Sequence, residues 1–133
     1  QQKVVSLTAY KVLSIELAAG LGHTFYDNET DYETVYFDKE IQHDFASWVS
    51  GDSMEPLYPN GSVALMKQTG FDYDGAVYAL IWNGKTYIKK VYREAEGLRL
   101  ESINPDYDDL FAPYEDEPKI VGIVVGHFLP LEV

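Results

Sequence analysis

The dipeptide Asn83-Gly84 lies between two strand-like runs, residues 76–82 and 85–92, and it obliges the chain to double back on itself. Tight two-residue hairpin turns need positive φ at both central positions, which Asn followed by Gly adopts readily. Further short apolar runs are set off by similar punctuation: residues 45–49 end before Gly51, residues 62–66 follow Asn60-Gly61, residues 98–103 follow Gly97, and residues 120–128 are almost wholly apolar. Residues 10–17 partly alternate and read as a short strand, whereas residues 23–38 read as an acidic surface loop running into a short strand at 34–37. In that loop Asp27, Glu29, Asp31 and Glu33 form a solvated face. Residues 104–118, rich in Asp, Glu and Pro, read as a loop. With no long segment of helical period, the pattern predicts a mainly β domain of short antiparallel strands.

A length of 133 residues suits one domain with a real core. No run approaches the ~20 apolar residues of a membrane helix, and the N-terminus lacks the charged-then-apolar order of a signal peptide. The expectation is a soluble, cytoplasmic protein with no membrane contact. The chain has no cysteine, so disulfides and thiolate metal sites are excluded, and neither a metal nor a cofactor is expected. A formal net charge of -12 argues against a grip on DNA, which depends on clustered Lys and Arg. Any DNA contact is expected from an upstream segment; the first residue is Gln, as in an excised or processed piece.

The stretch from Trp48 to Gly61 places a serine, Ser53, just after a glycine break. Most such serines cap or turn the chain. As a nucleophile, Ser53 would need a base within hydrogen-bond reach and donors aimed at the developing oxyanion. The amides of Asp52 and Ser53 are the candidate donors. His23, His43 and His127 sit in unrelated settings with no triad pattern. Lys89, in the apolar run of residues 86–92, is the better candidate, since a strand can carry one ammonium group into a dry site and lower its pKa. Strand parity alone does not separate it from Lys90, because both faces of the run are fairly apolar. Bringing a lysine from ~10.4 to near neutrality costs about 4 kcal/mol, against the pull of this chain's surplus carboxylates, so burial must dominate locally.

The Ser50-Gly51-Asp52-Ser53-Met54-Glu55-Pro56 segment, the Tyr87-Ile88-Lys89-Lys90-Val91 strand and Ala19-Gly20 upstream together resemble the self-cleaving LexA and phage-repressor family of Ser-Lys peptidases. The resemblance spans nearly the whole chain. It implies a LexA-like C-terminal fold of strongly twisted strands, with residues 1–22 as an arm carrying the cleavage site and 23–133 as the peptidase and dimerisation core. It implies Ser53 as nucleophile, Lys89 as base and Ala19-Gly20 as the bond cut, the small residues at 18–22 letting the backbone lie extended in a cleft. It also implies a homodimer, here expected to pair through residues 120–128, and a cleavage loop with two positions, the cleavable one favoured in that family by an activated RecA filament. Ser62 stands where the family commonly has an acidic residue. Two rivals share these features: a UmuD-like subunit of an error-prone polymerase, and a dimerisation domain with a silent site.

Overall fold

The computed structural model describes residues 6–21 and 32–132. Among these, nine strands form one sheet: β1 (Thr8–Leu13), β2 (Glu33–Phe37), β3 (Phe45–Trp48), β4 (Val63–Gln68), β5 (Val77–Trp82), β6 (Lys85–Arg93), β7 (Gly97–Glu101), β8 (Leu110–Pro113) and β9 (Lys119–Phe128), with one helix, α1 (Ile15–Leu21). The spatial order is β2-β1-β3-β4-β9-β5-β6-β7-β8. Every neighbouring pair is antiparallel except β1 and β3. The protein is therefore mainly β, as the turn-punctuated pattern predicts.

The hairpin at Asn83-Gly84 forms with φ of 52° and 73° at its two central residues and joins β5 to β6 in continuous register from Trp82↔Lys85 to Val77↔Lys90. Along β5 the side chains alternate between two apolar clusters. Tyr78, Leu80 and Trp82 enter one, and Val77, Ala79 and Ile81 enter the other. Burial on both faces is why this strand reads as an unbroken apolar run.

β9 is the middle strand. It pairs with β4 along Gly122 to Phe128 and with β5 along Lys119 to Ile123, with register shifts in both ladders. Such irregularities bend and twist a sheet. Gly122 is required at the crossing, since a Cβ there would meet the Lys67 carbonyl oxygen at 2.8 Å and the Phe45 ring at 3.3 Å.

Three stretches differ from expectation. Strand β1 ends at Leu13, and α1 occupies the remainder of the expected strand. Ser14 caps that helix: its Oγ accepts the Leu17 N–H at 3.1 Å, and its carbonyl accepts the Ala18 N–H at 3.2 Å. Ile15 and Ala18, three residues apart, turn into the core. Residues 104–118 are not all loop, because residues 110–113 pair with β7 as an edge strand and a 3-10 turn follows over Tyr114–Asp116. An edge position tolerates Pro113. Of the stretch expected as an arm, residues 8–13 form β1, inside the sheet between β2 and β3.

Candidate active site

The serine turn is closed at its base by two backbone bonds, Val49 N–H to the Ser62 carbonyl at 2.9 Å and Gly61 N–H to the Val49 carbonyl at 2.8 Å. Gly51, at φ +81°, donates its N–H to Asn60 Oδ1 at 2.7 Å. The two glycine-marked corners seen in the sequence are thus tied to each other. Ser62 is fully buried and its hydroxyl donates to the Pro59 carbonyl at 2.6 Å. A short neutral side chain suits that position, since a carboxylate there would lose its hydration.

Ser53 sits half-buried in a cleft of mixed character, with Ile15, Trp48, Met54 and Ile88 on its walls beside the polar Ser50 and Thr86. Lys89 reaches the same cleft from β6, with its Nζ 2.6 Å from Ser53 Oγ. It is 8% exposed, and burial lowers its pKa from the ordinary lysine value. That is the direction a general base requires, because only the neutral amine can accept a proton. Lys90 turns the other way, as successive strand residues do. It pairs with its cross-strand neighbour Glu101 at 3.2 Å, and that hydrogen bond raises its pKa. The structure brings Lys89, not Lys90, to Ser53.

Ala19 and Gly20 are not brought there. They lie in the last turn of α1, where the expectation was extended backbone. Ile15 touches the Ser53 cleft, but Ala19, four residues or about 6 Å of helix rise further on, lies in a separate hollow with Gln68, Gly70 and Lys119. Lys119 Nζ lies 3.4 Å from the Ala19 carbonyl oxygen. The helix arises because Ile15, Leu17, Ala18 and Ala19 all pack against the main core cluster, which outweighs the glycine's preference for extended or turn conformations.

His43 Nδ1 lies 2.7 Å from the Ile41 carbonyl, and the His127 ring packs edge-on against Tyr58 at 4.7 Å. Neither approaches Ser53 in any hydrogen bond, and His23 is outside the described residues. Among the described residues no group of three potential metal ligands gathers, and no helix is long and apolar enough to cross a membrane. Sequence reasoning passed over Asn104 and Tyr107. Asn104 donates its backbone N–H to the Ser53 carbonyl at 2.9 Å and its side-chain amide to the Asp52 carbonyl at 3.1 Å. Tyr107 donates its hydroxyl to the Asp52 carboxylate. Only the Asn-Pro-Asp turn signal was visible, and it says nothing of a partner 52 residues away.

Comparison with known proteins gives one matching family, described as Peptidase S24-like, over residues 11–125. The chain is 42% identical over 77 residues to a repressor protein CI of Enterobacteria phage phi80, covering 56% of this chain and 32% of that protein. It is 33% identical over 86 residues to a LexA repressor of Citrifermentans bemidjiense, covering 63% and 43%. Against a LexA repressor of Lacticaseibacillus casei it is 30% identical over 118 residues, covering 86% and 55%. The chain spans about half the length, or less, of these curated relatives.

Proposed function

Because the chain belongs to the Peptidase S24-like family, we propose that it is the C-terminal domain of a LexA-like transcriptional repressor that cuts its own Ala19-Gly20 bond and thereby ends repression. The observation that carries this reading is the 2.6 Å approach of Lys89 Nζ to Ser53 Oγ in a shared cleft, with Lys89 itself buried. Neutral Lys89 takes the hydroxyl proton as Ser53 Oγ attacks the Ala19 carbonyl carbon. The tetrahedral oxyanion rests on turn amides, those of Asp52 and Ser53 being the candidates. Collapse breaks the C–N bond, Lys89 returns the proton to the leaving Gly20 amine, and the acyl-enzyme ester is then hydrolysed by water to free the Ala19 carboxylate. For this to happen α1 must unwind and carry Ala19 into the cleft. The helix is thus the resting position of the cleavage segment. The names of the relatives, all repressors, favour this reading over a polymerase subunit. DNA contact falls to a segment outside this chain.

Alkaline incubation tests the reaction. Deprotonating Lys89 generates the base, so the rate of cutting rises with pH and levels off once the amine is neutral. Burial lowers the Lys89 pKa, so the half-maximal rate falls at a pH below the ordinary ~10.4. Mass spectrometry should find one cut, between Ala19 and Gly20. Fragments from another bond, or a rate that falls with pH, would refute the mechanism.

We also propose a symmetric dimer built on β9. The expectation is pairing largely through residues 120–128. Residues 119–123 are already paired with β5 inside the domain's own sheet, so the proposed interface lies at the C-terminal end of the strand, where the β5 ladder has ended at Ile123. Beyond it the strand is paired on the β4 side, and Val125, Leu129 and Leu131 are exposed. A second copy would cover this apolar run, in the commonest closed symmetry. Sedimentation at micromolar concentration should give a dimer; a monomer with native circular dichroism sinks the claim.

A further inference from the structure

The serine turn is held from outside by a segment that the reaction above does not use. Asn104 engages all four of its polar groups there. Its backbone N–H donates to the Ser53 carbonyl and its Nδ2 to the Asp52 carbonyl, while Oδ1 accepts the Asp106 N–H at 3.0 Å and its own carbonyl accepts the Tyr107 N–H at 3.2 Å. With donor and acceptor ends both engaged, the side-chain amide has one orientation. The Tyr107 hydroxyl adds a third tie, to the Asp52 carboxylate.

These bonds act on a rigid unit. The Asp52–Ser53 peptide is trans, so its carbonyl and its N–H point to opposite sides of a plane. With the Asp52 carbonyl drawn toward Asn104 and also bonded by the Glu55 N–H at 3.1 Å, the Ser53 N–H is directed away from the Asn104 loop. It finds no acceptor among the described residues. An unengaged N–H on the nucleophile's own residue is what a developing oxyanion needs.

We infer that Asn104 and Tyr107 are positioning residues for the Ser53 reaction: they lock the Asp52–Ser53 peptide plane so that the Ser53 N–H is already aimed when the oxyanion forms. The inference rests on the self-cleavage reading. Asp52 and Tyr107 are exposed and Asn104 is half-buried, outside the three core clusters, so the bracket contributes to the aim of the turn more than to the stability of the sheet.

The test is the pH–rate profile of self-cleavage in the parent chain, Asn104→Ala and Tyr107→Phe, with melting followed in parallel. Asn104→Ala removes the bond to the Asp52 carbonyl without adding charge near Lys89. Its plateau rate should fall about 10- to 100-fold, with the pH midpoint unchanged and the melting transition preserved. Tyr107→Phe should fall in the same sense by about threefold. A plateau within twofold of the parent for Asn104→Ala, or a loss that comes with a shifted midpoint, overturns the inference. Should Asn104→Ala not fold, Tyr107→Phe decides alone, and a parent-like rate overturns it. If the parent itself does not cut at Ala19-Gly20, the self-cleavage reading falls and this inference with it; a cutting parent with an equally active Asn104→Ala removes only the bracket.

Discussion

Ser53→Ala is expected to slow cutting at Ala19-Gly20 by about 10³-fold or more while leaving the fold intact. Removing a nucleophile abolishes the covalent route, and what remains is only the background rate aided by the oxyanion donors. Folding is spared because the half-buried hydroxyl's one side-chain partner is Lys89, whose amine already sits in the cleft. The variant also tests whether the reaction is intramolecular. A tethered substrate has an effective concentration far above micromolar, so Ser53→Ala mixed with an equal amount of parent should stay uncut while the parent disappears. Rapid cutting of the variant in the mixture would mean an enzyme acting on other chains, and undiminished cutting of the variant alone would remove Ser53 from the chemistry.

The second large effect separates two adjacent lysines. Lys89→Ala removes the amine 2.6 Å from the serine oxygen and should reduce the rate by about 10²-fold or more. Lys90→Ala breaks an ion pair with Glu101 in which both side chains are one-third exposed. Exposed pairs contribute about 0–1 kcal/mol, so this variant should fold and cut within about twofold of the parent. Time courses at one alkaline pH, read by gel and mass, suffice. A dead Lys90→Ala beside an active Lys89→Ala would mean that the wrong face of β6 has been assigned to the chemistry.

What the sequence made legible was local. Asn83-Gly84 announced the β5–β6 hairpin because its turn chemistry is complete within two residues, and residues 120–128 announced a strand through their apolar composition. Whether β9 was a central strand or an open edge was not legible, since an apolar run fits both. Strand β8 was hidden because residues 110–113 carry no alternation of their own and become a strand only through pairing with β7. Helix α1 was hidden for a related reason: seven residues are too few for a helix to be stable alone, and contacts of Ile15 and Ala18 with the core decide the matter. Ser53 and the lysine strand could be read from motif and spacing. The choice of Lys89, left open by parity, is a matter of which side chain reaches the cleft, and the ties from Asn104 and Tyr107 exist only once β7 and its following turn fold back over the serine.

A seven-residue helix is too short to persist in water unaided, so α1 stays wound only through its Ser14 cap and its buried side chains. Under the proposed reaction the chain can react only while that helix is open, and its half-life scales inversely with the open fraction. Each ~1.4 kcal/mol added to the helix then lengthens the half-life tenfold, with Ser53 and Lys89 unchanged. Related chains with identical chemistry could therefore run on clocks set from minutes to days by the residues around Ser14 and Ala18, and selection for a slower or faster clock would fall on those positions.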